Sequence, residues 1–228
     1  MKKQFAILVA LIILMTTVVG CLEPKEAVAA RADPKTLSEL GWTQTGDVEK
    51  DSLEMNLSVP LTINLAKLSY KDAELEGRIN QEMQISDITS TLMTVRLALP
   101  VSLDFLSKQL IDRTIDLMDT QLMSTVQGMG VSNFHRTGET TFKNLHGEIV
   151  KALVYEGTLE YEGGSTTVRG ALAIWSSDGS IVATAGLVPY EDITYTTEIG
   201  GEQVTKTLVQ IDGDAEFDEL ITLMQNVA

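Results

Sequence analysis

The sequence predicts an α+β fold, an antiparallel sheet covered by a long central helix and a C-terminal helix. Three observations predict it. Apolar residues alternate strictly through Leu53, Met55, Leu57, Val59, Leu61, Ile63 and Leu65, which is the period of a strand. Leu103, Leu106, Leu110, Ile111, Ile115, Met118, Leu122, Met123 and Val126 recur every three or four residues, giving residues 102–126 one broad apolar stripe. After residue 140, strand-forming runs are separated by short turn motifs, as in an antiparallel meander.

The amino end has the three parts of a secretion signal. Lys2 and Lys3 are basic, residues 5–19 are apolar apart from Thr16 and Thr17, and Gly20 and Cys21 close the run. Fifteen residues fall short of the roughly 20 that a bilayer span needs. A plain anchor helix reaching Leu22 is the alternative. Residues 1–20 are therefore expected as a signal peptide, residues 21–33 as a lipidated cysteine and tether, and residues 34–228 as one α+β domain.

Within that domain, Asp33, Pro34 and Gly41 bracket a short helix as cap, first position and stop. Pro60 interrupts the alternating run, so the run is an edge strand, a bulged strand or two strands. Residues 72–86 are ambiguous, and residues 90–99 read as a strand stopped by Pro100. Gly128 and Gly130 end the long helix. Strands are expected over 142–145, 148–155, 157–161, 166–175 and 180–188, with turns at EGGS (162–165) and SSDGS (176–180). Gly200 and Gly201 suit a further hairpin turn. Asp214 is expected to cap a closing helix whose apolar face is Phe217, Leu220, Ile221, Met224 and Val227. Two subdomains split near Gly130 are the competing layout.

The chain has 17 Lys plus Arg against 32 Asp plus Glu, a net charge of -15, and loss of residues 1–20 makes it two units more negative. Such a surface disfavours nucleic acid and anionic lipid. Cys21 is the one cysteine, so no disulfide can form within the chain.

The four residues VVGC at 18–21 are similar to the lipobox of bacterial and archaeal lipoproteins, in which a small residue precedes a cysteine that receives lipid. Such a lipid would anchor by burying methylenes at about 0.8 kcal/mol each. Further motifs are GW at 41–42, SYK at 69–71, RLALP at 96–100, GMGVSNF at 128–134, NLHGE at 144–148, RGALAIWSSDGSIVATAGLVPYED at 169–192 and FDELITLMQNV at 217–227. With these, nearly the whole chain resembles a family of uncharacterised predicted archaeal lipoproteins of haloarchaeal type. The second half resembles, more distantly, the PsbP/Mog1-like α/β/α sandwich, whose members serve as assembly or accessory proteins. Neither resemblance supplies active residues.

Chemistry-bearing patterns are sparse. His135, expected in a loop, and His146, expected at a strand start, lack the spacing of a zinc site. No G-x-S-x-G is present, and Ser177, Asp178 and Ser180 read as turn residues. Asp212, Asp214, Glu216, Asp218 and Glu219 begin like a calcium loop but lack its length, so capping and first-turn acids explain them better. Asp72, Glu74 and Glu76 read as a solvated face. Asn56-Leu57-Ser58 is an N-glycosylation triplet.

No catalytic residue, cofactor or metal ligand is therefore expected. The expected protein is attached by lipid on Cys21 to the outer face of the cytoplasmic membrane. There it is a non-catalytic binding or assembly module. Its partner would be an envelope protein or a small apolar ligand, the latter held near Met118 and Met123, which otherwise fill core. The alternative is an envelope hydrolase with a site near His135, His146 and Asp178.

Overall fold

The computed structural model describes residues 25–56, 60–83, 88, 90–99, 111, 115, 118, 120, 122, 123 and 126–228. The expected signal segment, Cys21 and most of the expected helix over 102–126 lie outside the described residues. No helix among the described residues is long and apolar enough to cross a membrane.

The fold is mixed α+β and mostly antiparallel sheet. Helix α1 spans Pro34–Glu39, and the Asp33 carboxylate accepts a hydrogen bond from the Thr36 amide at 2.9 Å. Gly41, at φ +72°, ends it as expected. Strands β1 (Trp42–Asn56) and β2 (Pro60–Asp72) pair antiparallel from Trp42 opposite Asp72 to Asn56 opposite Pro60. The alternating run is thus two strands, and Pro60 opens the second. Asn56 ends β1, while Leu57 and Ser58, the rest of its triplet, lie outside the described residues.

The ambiguous stretch is helix α2, Ala73–Met83. Its start is fixed by Asp72, whose Oδ1 accepts from the Glu74 and Leu75 amides, both at 2.9 Å. Strand β3 is Thr91–Ala98. Ile111, Ile115, Met118, Thr120, Leu122, Met123 and residues 126–128 are helical, and Met118, Leu122 and Val126 are buried.

The second half contributes β4 (Val131–Lys143), β5 (Ile149–Tyr161), β6 (Gly164–Ser177), β7 (Ser180–Pro189), β8 (Ile193–Ile199), β9 (Glu202–Val209) and helix α3 (Gly213–Gln225). Two differences from expectation stand out. His135, expected in a loop, lies on the edge strand β4, paired opposite Glu156. The stretches 148–155 and 157–161 are one strand, carried through Gly157 because a side chain there would collide with Val131 and Phe134.

Seven strands form one sheet in the order β1-β2-β3-β7-β6-β5-β4, every pair antiparallel, and β8-β9 is a separate hairpin. The junction of β3 with β7 joins the two halves of the chain. Every residue of β7 is buried, because both faces of this central strand are covered. Its odd residues, Ile181, Ala183, Ala185 and Leu187, pack with Met118, Leu122, Val126, Leu75 and Ile79. Its even residues Val182 and Val188 pack with Leu220, Leu223 and Met224 of α3. Gly186 lies directly beneath Leu220, and an added Cβ would sit 2.3 Å from that side chain.

Residues 25–33, expected as tether, are instead part of the second layer. Ala27, Ala29, Ala30 and Ala32 are buried against the sheet. Thr94 Oγ1 donates to the Ala30 carbonyl at 2.6 Å, and the Ala32 amide donates to Tyr70 Oη at 3.1 Å. Arg31 and Ala228 exchange two backbone hydrogen bonds of 2.9 Å, and the Asp33 amide donates to the Asn226 carbonyl at 2.8 Å. Alanine's small side chain lets this extended chain lie close to the strands beneath it.

Candidate binding site at the amino end of the last helix

Helix α3 begins two residues earlier than its sequence suggests. Asp212, not Asp214, is the cap, its carboxylate accepting from the Ala215 amide at 3.2 Å. Gly213 can occupy the next position because its Cα faces the Tyr190 carbonyl. Asp214 is then free to accept a hydrogen bond from Tyr190 Oη and to lie 3.7 Å from Arg169.

Arg169 is the organising cation on this side. Its guanidinium sits 3.6 Å from the Tyr190 ring centroid and 5.5 Å from that of Phe217. Its Nε and Nη2 both donate to Glu156 Oε1, at 3.0 and 2.6 Å. This cluster ties β5, β6 and the end of β7 to α3.

Three carboxyl groups meet on the neighbouring face. Glu216 and Glu219 are three residues apart in α3, so they project together toward the end of β2. There they meet Asp72, which is 4% exposed rather than part of a solvated face. One oxygen from each of Asp72, Glu216 and Glu219 lies within 4.8 Å of the other two. Arg78 of α2 donates to Glu216 Oε1 at 3.2 Å. The indole N–H of buried Trp42 faces Glu219 and favours its charged form, yet it reaches no acceptor in hydrogen-bonding geometry.

Burial pushes the Glu216 carboxyl up to about 7, with the charges of Asp72 and Glu219 adding to it and Arg78 opposing. Burial likewise raises Glu219, helped by Asp72 and Glu74. Asp72 is raised by burial against the pull of its hydrogen bonds from the Leu75 and Glu74 amides. An open depression of about 730 Å³ adjoins the cluster, lined by Arg78, Tyr190, Asp192, Asp212, Asp214 and Glu216 among others. Its lining is strongly acidic, which suits a cationic occupant.

The histidines are not brought together. His135 is exposed on β4, its Nδ1 2.8 Å from the Asn133 carbonyl. His146 lies in the turn after β4, about 25 Å farther along the strand. Its Nε2 is 3.5 Å from Ser177 Oγ, at the limit of a hydrogen bond. Asp178 and Gly179, at φ 48° and 69°, form the turn between β6 and β7. Burial lowers the Arg96 guanidinium, and the charge of Asp178 opposes that shift.

The apolar hollow at the end of the central helical residues is lined by Ile88, Met129, Val131, Leu159, Val168 and Leu187 among others and holds about 60 Å³. Ligand cavities run from about 300 Å³ upward. Met118 is buried in the core beside it, and Met123 packs against the same core.

A family model described as a domain of unknown function, DUF6517, matches residues 29–228. The chain belongs to this family. The matched region begins inside the buried segment 27–32, so the family's domain includes the alanine-rich strip expected to be tether. No curated protein and no solved structure matches the chain.

Of the carboxyl cluster, sequence reasoning found Glu216 and Glu219 only as first-turn acids and misassigned Asp72. One local signal was available. Asp72 precedes Leu75 and Ile79, which is the spacing of a capped helix with one apolar face. Such a cap is held at a packed helix end, not on an open surface.

Proposed function

We propose that this protein is a lipid-anchored, extracytoplasmic binding module, held close to the outer face of the cytoplasmic membrane and without catalytic machinery. Its lipid is carried by Cys21, and its recognition surface is the acidic depression at the amino end of α3. The partner is a positively charged segment of another envelope protein.

One observation carries the anchored reading. The described chain is bound into the fold from Ala27 onward, so little free chain separates Cys21 from the domain. The five residues 22–26, fully extended, reach about 17 Å. A lipid at Cys21 therefore holds the domain against the bilayer surface. The acidic balance of the chain fits a binding role directed at cations rather than at nucleic acid.

The resemblance to archaeal lipoproteins supports the same reading and extends it to a family of archaeal origin. Helices over both faces of the sheet agree with a PsbP/Mog1-like sandwich and with an accessory role. The helical positions between Ile111 and Gly128 support one helix over 102–126 as the cover of the first face.

Mass spectrometry of the protein from its native membrane tests the anchor. The expected amino-terminal peptide begins at Cys21 and carries the added mass of lipid. Cys21→Ala is expected to abolish both the processing and the added mass. A native peptide that retains residues 1–20 with an unmodified thiol would overturn the proposal.

A further inference from the structure

We propose that Asp72, Glu216 and Glu219 bind one divalent cation that prefers oxygen ligands, calcium before magnesium. This site is independent of the lipid anchor and differs from the linear calcium-loop pattern over residues 212–219. It is assembled from two elements remote in sequence, the end of β2 and the first turns of α3.

Geometry and charge support it. The three carboxylate oxygens lie within 4.8 Å of one another. That span accommodates a calcium ion, whose oxygens lie about 2.3–2.6 Å from it, and three protein carboxylates suit it better than magnesium, which keeps several waters and takes one or two carboxylates. All the donors are carboxylate oxygens, which selects a hard cation. The Arg78 guanidinium faces these carboxylates, and Glu74 adds a further negative charge nearby. The fully ionised cluster thus has two negative charges in excess of Arg78, the charge of one divalent ion. Arg78 is partly exposed and can leave Glu216 without losing a buried contact.

A second observation points to a ligand. The Trp42 indole N–H is buried and faces Glu219 of the cluster, but no carboxylate oxygen meets it in hydrogen-bonding geometry. A buried donor left without a well-aligned partner is costly. An ion that gathers the carboxylates would supply the acceptor, either as Glu219 turned into line or as a water in the ion's own shell. The open depression lined by Arg78 and Glu216 gives a hydrated ion a route to the cluster.

Trp42 also makes the site readable. The purified full chain is treated with a chelator, then titrated with terbium as a luminescent calcium probe, and terbium is competed with calcium or magnesium. Trp175, the other tryptophan, lies toward the opposite end of the sheet, where it packs edge-on against Phe142. The expected result is saturable, tryptophan-sensitised luminescence with one ion per chain, displaced by calcium at lower concentration than by magnesium. Calcium is expected to raise the melting temperature of the same sample. Glu219→Gln and Asp72→Asn are each expected to weaken calcium binding at least about tenfold, since affinity follows the count of charged ligands. Asp218→Asn, on the exposed side of α3, is expected to bind as the parent does. Trp42→Phe is expected to lose the luminescence but keep the calcium-dependent thermal shift. Absence of saturable binding up to millimolar calcium, displacement by magnesium before calcium, or unchanged affinity in Glu219→Gln overturns the proposal. Glu219 is half-buried, whereas Asp72 is buried, so that variant remains informative if Asp72→Asn fails to fold.

Discussion

Replacing Gly213 with alanine is expected to lower stability by about 3 kcal/mol or more. Gly213 opens α3, and a Cβ there would lie 2.1 Å from the Tyr190 carbonyl oxygen and 2.8 Å from its carbonyl carbon. Both obstacles are backbone, so no rotamer change relieves them. Relief requires α3 to move off the sheet, which separates Leu220, Leu223 and Met224 from β7. Overpacking of side chains usually costs about 1–3 kcal/mol, and a backbone obstacle puts this site at the upper end or beyond. Alanine's better helix propensity returns about 1 kcal/mol at most. Gly77, inside α2, is the control. A Cβ there would meet nothing within 4 Å, so Gly77→Ala is expected to stabilise by roughly 0.5–1 kcal/mol. Urea unfolding of the two variants should therefore shift in opposite directions. A Gly213→Ala midpoint equal to that of the parent would contradict the packing described for α3.

The second large effect is a pH dependence of unusual sign. In the cation-free protein Glu216 keeps its proton to about pH 7, whereas in the unfolded chain it ionises near 4.5. Between those values the folded state holds a proton that the unfolded state has released. The stabilisation from this group is complete below about pH 4.5, declines as pH rises and is gone above about 7. Glu219 and Asp72 are shifted the same way and add to the decline. The interval sets a ceiling of about 3 kcal/mol, and partial exposure brings the expected change to roughly 2 kcal/mol. Glu216→Gln keeps the shape and a hydrogen-bonding group without the charge. It is expected to flatten the profile and to be about 2 kcal/mol more stable than the parent at pH 8. Asp33, Glu26 and Glu139 are shifted downward by their partners and act oppositely at lower pH, so the difference between variant and parent is the quantity to measure. Equal pH slopes for the two proteins, measured in chelator, would refute the buried-cluster account.

The features legible in the sequence were those fixed by neighbours along the chain. Asp33 caps α1, Asp178-Gly179 turns β6 into β7, and Gly200 with Gly201, both at positive φ, turns β8 into β9. What escaped depends on partners far away in sequence. β4 is an edge strand with mostly exposed residues, so VSNFHRTGETT shows no alternation, and its pairing is supplied by β5. Ala27 to Ala32 look like linker because alanine is small and neutral, and only the floor of sheet beneath them makes them core. Asp72 looks solvated until α3 is laid over it. The candidate site is built from residues 72–78, 190–192 and 212–219, and no local pattern joins those segments.

The clasp between residues 31–33 and 226–228 gives the molecule a defined load path. Tension applied at Cys21 reaches the body first at residues 25–30, through Asn64 on the Lys25 carbonyl, Lys50 on Glu26 and Thr94 on the Ala30 carbonyl, and then through the hydrogen bonds of Arg31 and Asp33 to Ala228 and Asn226. The seven-stranded ladder bears it only after those bonds part. A chain anchored at Cys21 as proposed, and drawn away from its membrane, would therefore yield along residues 25–33 first. Its leash would lengthen by about 30 Å as residues 25–33 peel off, while the sheet stays whole.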